Sequence, residues 1–123
     1  DRLEQLIKQS TRSQTSLAVI YLDLDSFKDV NDSRGHDFGD ELLKVVAERL
    51  RSEVRDTDTV ARIGGDEFVI LLGQLDRPEK ADIIIREMLK NLSEPILIQG
   101  EMIYVTASFG ISMFPNDGDD GKT

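Results

Sequence analysis

The chain has 123 residues, the length of one domain, and 39% of them are hydrophobic, enough for a single core. It has no cysteine and one histidine, His36, which excludes disulfide scaffolds, zinc–thiolate sites, thiol nucleophiles and a multi-histidine metal site within one chain. With 15 basic and 24 acidic residues the net charge is −9, so the basic footprint of a duplex nucleic-acid binder is absent, and a phosphate ligand would need metal ions and backbone N–H groups to offset repulsion. Asp1-Arg2-Leu3-Glu4 opens no hydrophobic segment, and no later stretch approaches the ~20 apolar residues of a membrane span. Leu3, Leu6 and Ile7 sit at helical spacing and predict a helix over residues 2–12, followed by a polar loop over residues 13–16.

Residues 17–22, Leu-Ala-Val-Ile-Tyr-Leu, form the longest apolar run and predict a central strand buried on both faces. It runs out into Asp23-Leu24-Asp25. Residues 26–32 read as a short helical turn, with Ser26 and Asp29 resembling a capping box that has Asp in place of Glu. Residues 31–39 are polar with two glycines and read as a loop or broken turn. Over residues 38–54, Leu42, Leu43, Val46, Ala47, Leu50 and Val54 make one helical stripe.

Residues 59–63 and 68–72 read as strands joined by the hairpin Gly64-Gly65-Asp66-Glu67. Pro78 opens a further helix with Ile84, Met88, Leu89 and Leu92 facing inward. A second hairpin turns at Gln99-Gly100 between strands at residues 95–98 and 102–113. In the latter, Ile103, Val105, Ala107, Phe109, Ile111 and Met113 share a face. Residues 114–123 read as a loop. The alternation predicts an α/β (α+β) sandwich, a mostly antiparallel central sheet with helices packed on it.

The chemistry gathers between residues 23 and 67. Asp23 ends the buried strand, and Asp66 and Glu67 sit at a hairpin tip. If that hairpin pairs beside the first strand, three carboxylates converge at one edge of the sheet. Hard oxygen ligands of this kind suit Mg²⁺ or Mn²⁺, and two such ions can clamp an in-line displacement at phosphorus. Loop carboxylates are otherwise solvated turn residues, and Asp25 and Ser26 fit helix capping better than metal binding.

The run Arg62-Ile63-Gly64-Gly65-Asp66-Glu67-Phe68 carries the Gly-Gly-Asp-Glu-Phe signature and resembles the GGDEF family, the diguanylate cyclases. Asp23-Leu24-Asp25-Ser26-Phe27-Lys28-Asp29-Val30-Asn31-Asp32 is similar to a second motif of that family. Gly35-His36 followed by Gly39-Asp40 is similar to a third. The likeness covers nearly the whole chain. It implies a palm-like, nucleotide-cyclase-like fold with a ferredoxin-type core, and two GTP molecules condensed to cyclic di-GMP and pyrophosphate between two facing domains, as a homodimer.

On that resemblance Asp23 and Asp66 hold Mg²⁺ or Mn²⁺, with the Leu24 carbonyl as a further ligand. Glu67 joins the metal shell or helps deprotonate the 3′-hydroxyl. The backbone N–H groups of Ser26, Phe27 and Lys28 meet the β- and γ-phosphates. Asn31 and Asp40 read guanine, where the residues alone also allow an Asx-turn at Asn31 and a helix N-cap at Asp40. Arg55 and Asp58 fit an Arg-x-x-Asp inhibitory site for the product, against an exposed helix-end arginine with loop aspartates. His36 fits loop orientation rather than a base, and Lys28 and Arg62 also read as surface charges.

Family domains begin earlier, with an Asp-x-Leu-Thr-Gly-Leu-x-Asn-Arg segment, and continue past Thr123 in a helix whose Lys and Arg contact the phosphates. Residues 1–123 therefore resemble the core of a GGDEF domain cut at both ends, expected to bind GTP weakly or not turn over unaided. Residues 1–6 and 108–118 resemble members fused to a downstream EAL phosphodiesterase domain. The implied setting is a cytoplasmic domain, in a longer protein that can be membrane-anchored and carry sensor or EAL neighbours. The competing readings are a non-catalytic domain that binds GTP or cyclic di-GMP and regulates its neighbour, and a pure interaction domain on the same scaffold.

Overall fold

A computed structural model describes residues 15–114, together with residues 4, 5, 8 and 12. These four residues are helical and exposed, in keeping with the expected amino-terminal helix. The loop expected over residues 114–123 lies outside the described residues, apart from Phe114, which ends a strand. The apolar run beginning at Leu17 becomes β1 (Ser16–Leu24). After it come α1 (Phe27–Arg34), α2 (His36–Ser52), β2 (Thr59–Arg62), β3 (Glu67–Leu75), α3 (Glu79–Leu92), β4 (Ile96–Ile98), β5 (Glu101–Ile103) and β6 (Ala107–Phe114).

β1 lies inside a four-stranded sheet of order β2-β3-β1-β6, and every pairing is antiparallel. Its Ala18, Ile20, Leu22 and Leu24 join Phe68, Ile70 and Leu72 of β3 on the face covered by helices. Leu42, Val46 and Leu50 of α2 and Ile85, Met88 and Leu92 of α3 complete that core. Full burial of each such side chain stabilises the fold by about 1.5–3 kcal/mol. The expected inward residues of α3 hold for Met88 and Leu92; Ile84 and Leu89 are only partly buried, while Ala81 and Ile85 are fully buried.

On the opposite face Leu17, Val19 and Leu71 form a smaller cluster with Val69 and Phe114. Tyr21, two residues further along β1, is 51% exposed. The expectation of burial on both faces therefore holds only for the first half of the strand. The half that leads into Asp23 opens to solvent, which leaves its carboxylate accessible.

Two other expectations need correction. Residues 31–39 are not a loop: α1 runs through Asn31 to Arg34, Gly35 alone intervenes, and α2 begins at His36. Gly35 makes this possible with φ 94, a left-handed value that favours glycine. Its N–H donates to the Asn31 carbonyl at 2.9 Å and its carbonyl accepts from Gly39 N–H at 3.2 Å, so one residue closes one helix and opens the next. The helical turn expected over residues 26–32 is the body of α1; because α1 buries only Phe27, no apolar stripe marks how far it runs.

Nor are residues 102–113 one strand. β5 pairs with β4 in a separate two-stranded sheet, and β6 pairs with β1. The break at residues 104–106 is where Asp25 anchors the chain. Its N–H donates to the Thr106 carbonyl at 2.9 Å, and its carboxylate accepts from Thr106 Oγ1 at 2.8 Å and Ser108 Oγ at 2.9 Å. The shared face survives within β6, where Ala107, Phe109, Ile111 and Met113 lie opposite Leu24, Leu22, Ile20 and Ala18.

The β4–β5 turn is as expected, with Gln99 at φ 52 and Gly100 at φ 79, the positive values of a two-residue primed hairpin turn. Arg49 holds this region to α2. Its guanidinium donates to the carbonyls of Asn91 at 3.0 Å, Glu94 at 2.6 Å and Pro95 at 2.8 Å, satisfying groups left over at the end of α3. Arg34 pairs with Glu101 and Gln99 donates to Glu41, which docks the hairpin onto α1 and α2. None of the described helices is long and apolar enough to cross a membrane.

Candidate active site

The site is set by the register of β1 on β3, which puts Asp23 directly opposite Glu67. The β2–β3 hairpin closes through Ile63 N–H to the Glu67 carbonyl at 2.9 Å. Its tip is tied to the end of β1 by Leu24 N–H donating to the Asp66 carbonyl at 3.0 Å. Asp23, Asp66 and Glu67 each bring a carboxylate oxygen to a common locus, all within 4.8 Å of one another. A Cβ at position 64 would lie 2.7 Å from Glu67 Oε1, so a side chain there would shift the Glu67 carboxylate.

Three carboxylates so close repel one another. The Asp23 carboxyl is held above its ordinary range, first by partial loss of solvent, then by the charge and hydrogen bond of Asp66, and by the charge of Asp25. An all-oxygen anionic donor set of this spacing fits a hard divalent cation such as Mg²⁺ or Mn²⁺.

Between Leu24 and α1 the chain bends sharply. Ser26 adopts a left-handed conformation, φ 61 and ψ 19, and its side chain makes no capping bond, so the expected capping box is not formed. Asp25 does not cap either; it clamps β6 as described above. At the start of α1 the Phe27 ring lies in the core and the side chains of Ser26 and Lys28 are exposed.

The alternative readings of Asn31 and Asp40 fall to the helices. Asn31 is inside α1, not in an Asx-turn, and Asp40 is the fifth residue of α2, not its N-cap. Asn31 is half-buried, and its Oδ1 is shielded from solvent with no hydrogen-bond partner among the described residues. Asp40 lines a cavity of about 480 Å³ with Lys44, Glu48, Arg51, Arg62 and Phe68. Phe68 also lines a second cavity of about 260 Å³, together with Asp23 and Glu67.

Lys44 and Arg51 were not singled out from the sequence. The signal was present, since positions 40, 44, 48 and 51 share one face of a helix. Arg62 donates to the Gly65 carbonyl at 3.4 Å besides lining this cavity. His36 is exposed at the start of α2 and makes no side-chain hydrogen bond among the described residues, so the expected loop-orienting bond is not seen.

Arg55 and Asp58 are not a loose surface pair. Arg55 Nε and Nη2 meet the two Asp58 oxygens at 2.9 and 2.7 Å, and Nη2 also donates to the Gly73 carbonyl at 2.5 Å. Asp58 accepts in addition from the N–H groups of Arg55 at 2.8 Å and Gly73 at 3.2 Å, and its side chain is 0% exposed. The bond to Asp58 holds the guanidinium above its ordinary pKa, against a smaller lowering by burial. A cavity of about 340 Å³ lies alongside, lined by Arg51, Arg55, Asp56 and Asp58.

An antiparallel sheet backed by helices, with carboxylates gathered where β1 meets the β2–β3 hairpin, defines a palm-like nucleotide-cyclase fold. The chain belongs to the GGDEF family: the family model described as diguanylate cyclase, GGDEF domain, matches residues 1–123. It is 50% identical over 103 residues to the cyclic di-GMP phosphodiesterase NbdA of Pseudomonas aeruginosa, covering 84% of this chain and 13% of NbdA. It is 47% identical over 118 residues to the bifunctional diguanylate cyclase/cyclic di-GMP phosphodiesterase MucR of the same organism, covering 96% of this chain and 17% of MucR. The chain thus spans less than a fifth of either relative. Among solved structures, the GGDEF domain of TpbB from Pseudomonas aeruginosa superposes with a TM-score of 0.89 at 34% identity, covering 94% of this chain and 72% of that one.

Proposed function

We propose that residues 1–123 form the catalytic core of a diguanylate cyclase within a longer signalling protein. Two such domains face each other as a homodimer. Each holds one GTP, and each 3′-hydroxyl attacks the α-phosphate of the other GTP, giving cyclic di-GMP and two pyrophosphates. The observation that carries this reading is the convergence of Asp23, Asp66 and Glu67 within 4.8 Å.

Asp23, Asp66, the Leu24 carbonyl and Glu67 would hold Mg²⁺ or Mn²⁺, which supplies neutralisation of phosphate charge and in-line alignment. The N–H groups of Ser26, Phe27 and Lys28 receive the β- and γ-phosphates at the start of α1. Glu67, the most accessible acidic group of the hairpin, takes the proton of the 3′-hydroxyl. Asp40 accepts from guanine N1–H and the exocyclic amine, and Asn31 reads the same base from α1. Adenine offers neither donor pattern, so it leaves Asp40 unpaired. The test is formation of cyclic di-GMP from GTP and Mg²⁺ by the full-length protein.

Asp40→Ala is expected to lower the preference for GTP over ATP roughly 100-fold or more, two bonds to a charged group contributing about 1.5–3 kcal/mol each. Competition of the two nucleotides in one assay measures it. An unchanged ratio would remove Asp40 from base recognition.

Arg55 and Asp58 make the product-binding inhibitory site, at the cavity alongside them. Product has to compete there with the bonds Arg55 already makes to Asp58 and Gly73. Arg55→Ala is expected to raise the concentration of cyclic di-GMP needed for half-inhibition about tenfold, consistent with loss of one charge-assisted contact. Inhibition at the parent concentration, in a variant whose melting temperature shows it folded, would end the assignment.

A second reading has its own support. NbdA, at 50% identity, is named as a phosphodiesterase. On that reading the domain binds GTP and governs a neighbouring EAL domain without making product. GTP bound and left unconsumed would select it.

A further inference from the structure

We propose that Gly39 is a positioning residue for base binding: the space left by its missing side chain is the seat of the Asn31 carboxamide. The inference rests on the reading of Asn31 and Asp40 as guanine readers. Gly39 is buried in the first turns of α2. Its backbone gives no reason for glycine, since Gly39 is not among the residues at positive φ and alanine is the better helix former.

The reason is space. A Cβ at position 39 would fall on Asn31 Oδ1, well inside van der Waals contact, and 3.0 Å from Asn31 Cγ. Phe27 Cζ, 3.2 Å from the same point, closes the other side, and the Phe27 ring is part of the core. Neither orientation of the amide leaves room, so any side chain at 39 evicts the carboxamide. In its present seat Asn31 Oδ1 is a shielded acceptor without a partner among the described residues. Sealed against Gly39 and Phe27, Oδ1 is held by the fold, and the amide nitrogen is the end of the carboxamide that can meet a ligand. It can donate to a ring nitrogen of the base. Gly39 touches Asn31 and precedes Asp40 in the chain, so this one residue sets the relation between the two reading groups.

The test measures kcat and KM for GTP in the full-length protein. Asn31→Ala and Gly39→Ala are each expected to cut kcat/KM for GTP about tenfold through KM, the loss of one hydrogen bond. The double variant is expected to lose no more than either single one, and to melt no lower than Asn31→Ala, because the group that opposed the Cβ is gone. A raised KM in Asn31→Ala with parental KM in Gly39→Ala would overturn the inference and leave the guanine reading standing. Parental KM in Asn31→Ala would overturn the reading of Asn31 itself. Losses that multiply in the double variant would show Gly39 acting by another route. If Gly39→Ala alone fails to fold, the double variant decides: recovery to the melting temperature of Asn31→Ala supports the inference, and no recovery refutes it.

Discussion

Glu67→Ala is expected to lower the rate of cyclic di-GMP synthesis by about 1,000-fold, within the range of 10²–10⁴ typical of a lost general base, while the fold is retained. Glu67 opens β3 with its carboxylate exposed, and its backbone carbonyl, not its side chain, closes the hairpin. Removing an exposed side chain changes stability by no more than about 0.5 kcal/mol. Rate and melting temperature therefore separate: the first collapses and the second stays within a few degrees of the parent. A variant that keeps its rate within a few-fold would take Glu67 out of the mechanism.

Asp23→Asn is expected to act in opposite directions on synthesis and on stability. Synthesis is lost, because the strand end no longer supplies a second charge beside Asp66. The metal-free fold gains stability at neutral pH. The sign follows from the raised pKa of Asp23. A carboxyl whose folded pKa exceeds its unfolded one favours the fold while protonated, and that contribution disappears as pH rises through the folded value. At neutral pH the ionised Asp23 is therefore a cost, which a divalent cation offsets. Mg²⁺ should raise the melting temperature of the parent at pH 7–8, and the rise should fade towards acid pH as Asp23 protonates. Asp23→Asn should melt higher than the parent without Mg²⁺ and gain little from it. An equal Mg²⁺-induced shift in both proteins would place the cation elsewhere.

Why parts of this molecule are legible from sequence and others are not has a physical basis. Leu17, Val19 and Ile20 declare a strand, and Leu42, Val46 and Leu50 declare a helix, because burial imposes period two or 3.6 on residues that touch the core. The Gly-Gly hairpin placed Asp66 and Glu67 at a tip, while its pairing beside β1 stayed a condition until β1 was seen to lie against β3. The start of α1 was legible as a helical turn over residues 26–32, but its extent to Arg34 escaped because it buries Phe27 alone. The break of residues 102–113 escaped because it comes from Asp25 reaching 81 and 83 residues along the chain to Thr106 and Ser108, a contact that no local pattern records. The burial of Asp58 under Arg55 and Gly73 escaped for the same reason: an Arg-x-x-Asp string reads as two exposed charges until β3 is laid against it. That Asp40 is not a helix N-cap became legible only with α2 beginning at His36.

The central claim is that the acidic edge makes product rather than only holding nucleotide. Full-length protein incubated with GTP and Mg²⁺, with nucleotides and pyrophosphate quantified by chromatography, tests it most directly. The account predicts cyclic di-GMP accompanied by two pyrophosphates for each molecule formed. GTP that is bound in the presence of Mg²⁺ and recovered intact would contradict it, and would make the same carboxylates the sensor of a neighbouring domain.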